Sequence, residues 1–267
     1  VALAIVVWFL AAMSLLVSGI VFQARSDTRM AQLHLAKAKA VAAGDGAIQL
    51  FLAELHAGRG GKGVPLAREY RIGDRSVRVE VVSAQGLIDL ASAPQQTLAD
   101  MFRVRGAMGE KEAQTLAANV IKSRPGAFGA RRRGGDRGRI SAIEDLLRVK
   151  GIDRRLLDAT RDLVTVGEGG SRGGVARGSA PPAVLAVLAA GDRQRSAEVA
   201  REGRPGARTG KRAQPLPARG SLRVDALVRD NGRTWLRRRW VEMGGGAEGA
   251  LPWEFKRTEA ARVVAAG

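Results

Sequence analysis

Two short glycine-centred segments hold the residues of this chain best suited to gripping a ligand. Val104-Arg105-Gly106-Ala107-Met108-Gly109 leads into Glu110-Lys111-Glu112-Ala113, and Val149-Lys150-Gly151-Ile152 leads into Asp153. Each sets a small-residue turn just before a helix start, where backbone N–H groups and the positive helix end can meet a phosphate. Asp153 works against this, because a carboxylate capping its own helix occupies those donors and repels an anion. Other chemistry finds fewer residues. There is no cysteine among the 267 residues, so disulfides and thiolate metal sites are excluded. The two histidines, His34 and His56, have no third ligand nearby in sequence and read as solvated or half-buried side chains rather than a metal site. No Ser/His/Asp or Cys/His set assembles, and the glycine runs lack the Lys-Ser/Thr ending of a nucleotide-binding loop, so the chain is not expected to be an enzyme. Asp89, Asp100, Glu110, Glu112, Glu144 and Asp145 are spread at helical spacing and read as a solvated face rather than a calcium site.

Both glycine segments resemble the helix-hairpin-helix motif. The first carries an extra residue, and the second has Asp153 where a second glycine is usual, so hairpins that pack helices are preferred over hairpins that touch DNA. The net charge of +18 fits a nucleic acid or anionic lipid partner, but the richness in Gly, Ala and Arg equally fits a biased genome composition.

The elements that must carry these turns begin with Val1 to Phe22, which contains no charged side chain and thirteen Val, Leu, Ile or Phe residues. At about 1.5 Å per residue it spans roughly 33 Å as a helix, enough for a bilayer core, and transfer into the bilayer is favourable by very roughly 4 to 8 kcal/mol. A retained membrane anchor is expected rather than a cleaved signal. Arg25, Arg29, Lys37 and Lys39 follow it, and on the positive-inside count alone they place the body in the cytoplasm. Met30, Leu33, Ala40, Val41, Ile48, Phe51 and Leu55 continue as one helical stripe, with a kink or break expected at Gly44-Asp45-Gly46. Alternation over Tyr70 to Val82 with Gly73-Asp74 predicts a β-hairpin, and Leu222 to Met243 around Asp230-Asn231-Gly232 predicts another, with a last strand at Trp253 and Phe255. Helices are predicted after Ser92-Ala93-Pro94, at 110–122, at 142–148 and after Asp153. Ser92-Ala93-Pro94 with Leu98 recurs 87 residues on as Ser179-Ala180-Pro181 with Leu185, a weak internal repeat. Gly/Arg/Pro-rich runs at 126–139, 167–178 and 203–220 are expected to be mobile loops. The chain thus divides into an anchor (1–22), its amphipathic continuation (23–57), a first hairpin unit (64–90), a helical insert (91–205), a linker (206–220) and closing strands (221–267). The expected fold class is α+β.

This order of parts, with Leu87-Ile88-Asp89-Leu90-Ala91-Ser92-Ala93-Pro94 opening the insert and Ile143-Glu144-Asp145-Leu146-Leu147-Arg148-Val149-Lys150-Gly151-Ile152 near its end, resembles the type II secretion system protein K family, the minor pseudopilins. The resemblance implies a pilin-like antiparallel sheet with a SAM-like helical insert, cleavage and N-methylation just before Val1, a single-pass inner-membrane anchor and a periplasmic body. It implies other minor pseudopilins as partners, and contact with exported proteins or the outer-membrane channel. Major pseudopilins carry a Glu where this chain has Ile5, and protein K typically lacks it. A buried carboxylate without a partner costs several kcal/mol, so Ile5 suits a subunit with no neighbour above it. The resemblance also suggests calcium, but the loop at 126–139 is arginine-rich here and no ligands are identifiable. The alternative is a membrane-anchored DNA receptor of the competence type, which would use Gly106, Gly109 and Gly151 on phosphate but needs neither of the β-hairpins.

Overall fold

The computed structural model describes residues 2–57, 67–124, 140–167, 174–201, 220–244 and 251–266. Val1 and most of the three expected loops lie outside them. The first element, α1 (Ala2–His56), runs 55 residues without a break. It passes straight through Gly44-Asp45-Gly46, contrary to the break expected there. The reason lies in the sheet. Asp45 accepts from Arg237 (Nε 2.8 Å) and Arg239 (Nη2 2.7 Å), and a Cβ on Gly44 would come within 2.9 Å of the Arg237 Cβ. Glycine is the residue that lets helix and strand meet this closely, and the two arginines hold the helical geometry that propensity alone disfavours.

The sheet is built from β1 (Ala67–Ile72), β2 (Arg75–Ser83), β5 (Gly220–Asp230), β6 (Arg233–Met243), β7 (Trp253–Thr258) and β8 (Arg262–Ala266). Its order is β1-β2-β5-β6-β7, all antiparallel, with β8 beside the first half of β6 and β7 beside the second. Gly73 turns the first hairpin at φ 62°, and Asn231 and Gly232 turn the second at φ 47° and 72°, the double left-handed pair of a tight hairpin. β8 has no counterpart in the strands expected from sequence.

Strand alternation gives the sheet two buried faces. Val77, Val79 and Val81 of β2 and Leu222, Val224, Ala226 and Val228 of β5 pack against Ala40, Ala47, Ile48, Phe51 and Leu52 of α1. The stripe expected along α1 is therefore buried only from Ala40 onward, and Met30 and Leu33 stay exposed. The opposite face, through Trp240, joins the core of the segment inserted between β2 and β5. That segment contains β3 (Ile88–Asp89), α2 (Gln95–Gly106), α3 (Glu110–Lys122), a 3-10 turn at Ile143–Arg148, α4 (Arg154–Thr160), β4 (Val164–Thr165) and α5 (Pro182–Arg201). β3 and β4 form a two-stranded parallel ladder, Ile88 on Val164 and Asp89 on Thr165. The Asp89 carboxylate ties together the segments that leave the two strands at the C-terminal end of the ladder, accepting from Ala91 N, Ser92 Oγ and Gly167 N. Both copies of the Ser-Ala-Pro repeat precede a helix, α2 and α5, and the two helices pack together.

The Asp45 contact makes a direct prediction. Asp45→Ala leaves two largely buried guanidiniums without their shared carboxylate and is expected to destabilise the body by about 3 kcal/mol. Asp45→Asn, which keeps the shape but not the charge, should recover less than half of that. Thermal unfolding of the detergent-solubilised full chain measures both.

Candidate assembly surface

Leu3, Ile5, Trp8, Phe9, Leu10, Leu15, Leu16, Ile20 and Phe22 form an apolar cylinder with no partner among the described residues, Leu3, Trp8 and Phe22 each being more than 75% exposed. Among the described residues one helix is long and apolar enough to cross a membrane, and this is it. Water is not a stable surrounding for such a surface, because apolar patches of this size on a soluble body drive association. An apolar surrounding suits it. Ile5 sits within this cylinder, 64% exposed, on the same continuous helix that reaches the sheet.

Ion pairs as well as packing attach the body to the helix. On the helix side the Asp45 contact is joined by Glu54, which binds Arg68 and accepts from Tyr70 Oη at 3.0 Å. Burial, and then the Glu54 carboxylate, push the Tyr70 phenol up to about 12. On the insert side the central group is Arg238, 3% exposed. It donates in a fork to Asp225 (2.7 and 2.8 Å) and to Asp162 Oδ1 at 2.7 Å, and lies 3.9 Å from Glu259. Arg223 donates to the Asp162 carbonyl at 2.6 Å, and Arg262 donates to the Asp162 carboxylate at 2.9 Å. Asp162 belongs to the turn after α4, so these bonds fasten the insert to β5, β6 and β8. The sequence Arg237-Arg238-Arg239 thus works in alternation. Its outer members serve α1 and its middle member serves the insert, as a strand period of two requires.

Burial alone would raise the pKa of Asp45, Asp162 and Glu259, but the arginines around each outweigh it and hold all three below their ordinary values. The folded state therefore binds fewer protons than the unfolded one at these groups. Their contribution is complete near neutral pH and is lost as the pH falls from about 5 toward about 2. The unfolding midpoint should drop progressively over that window, and circular dichroism melts across it check the expectation.

The glycines of the two turns have different surroundings. Gly106 is the last residue of α2, where a Cβ would press on Met108 Cε (2.5 Å) and Leu156 Cδ1 (2.9 Å), and the left-handed position is taken by Ala107 at φ 51°. Gly109 precedes α3 with ordinary backbone angles and open space around it. Gly151 has φ 93°, and a Cβ there would come within 2.5 Å of Leu116 Cδ2, so it lets the second turn sit on α3. Asp153 caps α4, accepting from Leu156 N at 2.7 Å, which spends a donor that a phosphate would need. The acidic residues are equally committed. Asp145 accepts from Ser141 N, Ser141 Oγ and Ala142 N, Asp100 from Arg103, and Glu144 lies 3.8 Å from Arg161. No group of three or more His, Asp or Glu side chains able to hold a metal forms among the described residues. His34 and His56 lie 22 residues apart on α1, and His56 rests edge-on to Trp253.

No protein-family model and no curated protein sequence matches the chain. A solved structure does. It is the crystal structure of the GspK-GspI-GspJ complex from the type 2 secretion system of enterotoxigenic Escherichia coli, matched over 90% of this chain and 100% of that one at 14% identity, with a TM-score of 0.52. The chain has a pilin-like fold. In that fold the long amino-terminal helix, the antiparallel sheet and the inserted helices belong to one design, and the exposed cylinder of α1 is its projecting part.

Proposed function

We propose that this chain is a minor pseudopilin at the tip of a type II secretion pseudopilus, a non-enzymatic subunit that assembles with other minor pseudopilins and caps the fibre. The observation that carries the proposal is the union of an uncovered apolar helix with a pilin-like body whose sheet is loaded with a large helical insert. In a fibre built by packing amino-terminal helices side by side, residues 3–22 exchange lipid for sibling helices. The insert gives the body a bulk that hinders addition of another subunit above it. Ile5 supports the same position, since a subunit with no neighbour above has no amino terminus for a carboxylate to meet. The type 2 secretion complex with the same fold, which joins three different chains, supports fellow pseudopilins as partners. The anchor would lie in the inner membrane with the body in the periplasm, and exported proteins or the outer-membrane channel would meet the insert.

The test is removal of the chain from the cell, with restoration by the full-length protein. The reading expects exported proteins to accumulate in the periplasm without it, and expects the full chain in mild detergent to co-purify with the other minor pseudopilins. Normal secretion without the chain, or DNA binding that falls about a thousandfold between 50 and 200 mM salt, would instead favour a DNA receptor.

A further inference from the structure

Where α4 and the preceding 3-10 turn approach the β7–β8 connection, a solvent-open cleft of about 420 Å³ is walled by Arg154, Arg161, Arg257, Arg262, Glu144 and Glu259. Four guanidiniums face two carboxylates in the wall, and Asp158 beside it pairs with Arg154 at 3.2 Å and with Arg161 at 3.5 Å. Glu259 is already taken, accepting from Arg161 Nη2 and Arg257 Nη2 at 3.0 Å each and from Trp240 Nε1 at 3.3 Å. The Nε–H groups of Arg161, Arg257 and Arg262 are buried with no hydrogen-bond partner among the described residues. One such group is an occasional defect, but three around one cleft call for an explanation. Arg257 is held by stacking on Trp240, 5.0 Å from the ring centroid, and Arg262 by Asp162. The guanidiniums are therefore fixed by contacts that leave part of their donor capacity unused.

We infer that this cleft binds the carboxylates of an acidic segment on a partner protein. Planar guanidinium forks match a carboxylate in paired hydrogen bonds, and a small rotation toward a bound oxyanion would give the unpaired N–H groups an acceptor. The two glutamates in the wall discriminate among anions. A nucleic acid strand brings a charge at every residue and would set phosphates against Glu144 and Glu259, whereas a peptide can place one or two carboxylates between the arginines and present neutral atoms to the glutamates. The inference goes beyond the secretion role and stands on the cleft alone.

The experiment titrates the full chain in uncharged detergent with a blocked peptide of alternating alanine and glutamate. The glutamine analogue, inorganic phosphate and a short oligothymidylate serve as separate arms. Isothermal titration gives affinity, and the Trp240 indole N–H resonance reports locally through its bond to Glu259. The expected result is saturable binding of the glutamate peptide that shifts this resonance. Affinity should be at least about tenfold weaker for the glutamine analogue and for the Arg154→Gln and Arg262→Gln variants. Arg154 is exposed on α4, so its substitution leaves the fold intact even if that of Arg262 does not. Arg78→Gln, on β2 and three strands removed from β7, should change affinity less than about twofold. No saturable peptide binding, equal losses with Arg78→Gln, or tighter occupation by phosphate or oligothymidylate would overturn the inference.

Discussion

Arg238→Ala is expected to lower the stability of the body by about 3 to 5 kcal/mol and its unfolding temperature by about 10 °C. The magnitude follows from what the substitution leaves behind. Asp225 is 8% exposed and loses both members of its fork, Asp162 loses a 2.7 Å partner, and Glu259 loses a nearby cation that keeps it ionised. Uncompensated buried charge, rather than the net worth of the ion pairs, produces most of the loss. A paired Arg238→Met and Asp225→Leu variant removes that ion pair and should recover part of the stability, while Asp162, Glu259 and the buried Arg223, which lies 3.2 Å from Asp225, limit the recovery. Because these bonds join the insert to the sheet, limited proteolysis of Arg238→Ala should release the insert before α1 and the sheet are cut. Stability within about 1 kcal/mol of the parent would mean that the cluster does not fasten the two parts.

Gly86→Ala should be nearly as damaging, for a steric reason. Gly86 ends the 3-10 turn Ala84–Gly86, where the chain leaves β2 for the insert. A Cβ there would lie 2.2 Å from the Ser179 carbonyl oxygen and 2.8 Å from the Ala180 Cα. Both are backbone atoms, fixed by the Ala176 N–H donating to the Gln85 carbonyl at 2.8 Å, so no side chain can swing aside. About 2 to 4 kcal/mol is expected, read as lost protection of the segment 174–193 in hydrogen exchange while the α1–sheet core keeps its own. Gly109→Ala is the matched control. Nothing lies within 4 Å of its Cβ and its backbone angles suit any residue, so it should change stability by less than about 0.5 kcal/mol. Equal effects at the two glycines would remove the close approach as the cause.

The parts of the fold that were legible in the sequence are those decided locally. Gly73-Asp74 and Asp230-Asn231-Gly232 name their turns because left-handed backbone is needed there, and Asp153 names a helix start because its side chain can reach the Leu156 N–H. Contacts between distant residues were not legible. Gly44-Asp45-Gly46 reads as a break until two arginines almost two hundred residues away arrive on Asp45. Nothing local in Arg237-Arg238-Arg239 shows that its outer members meet the half-buried Asp45 on one side of the sheet and its middle member the buried Asp225 on the other. The parallel pairing of β3 with β4 joins two-residue strands, too short to show a period. For the same reason the cleft beside β7 and β8 has no signature in the chain, since its arginines come from four places along it. The apolar cylinder of α1 was fully legible, because a run without charge needs no tertiary context. What covers it lies in other molecules.

That cover is the measurement on which the functional account turns. The chain has no cysteine, so a single cysteine placed at Leu16, in the middle of the cylinder, is a unique crosslinking site in the cell. With a second cysteine placed at the facing position of a sibling subunit's amino-terminal helix, the account predicts bismaleimide-linked products, or disulfide-linked ones after addition of a mild oxidant, while secretion is running. A Leu16→Cys protein that is labelled only by lipid-phase reagents, and never joined to a sibling helix in cells that secrete normally, would contradict it.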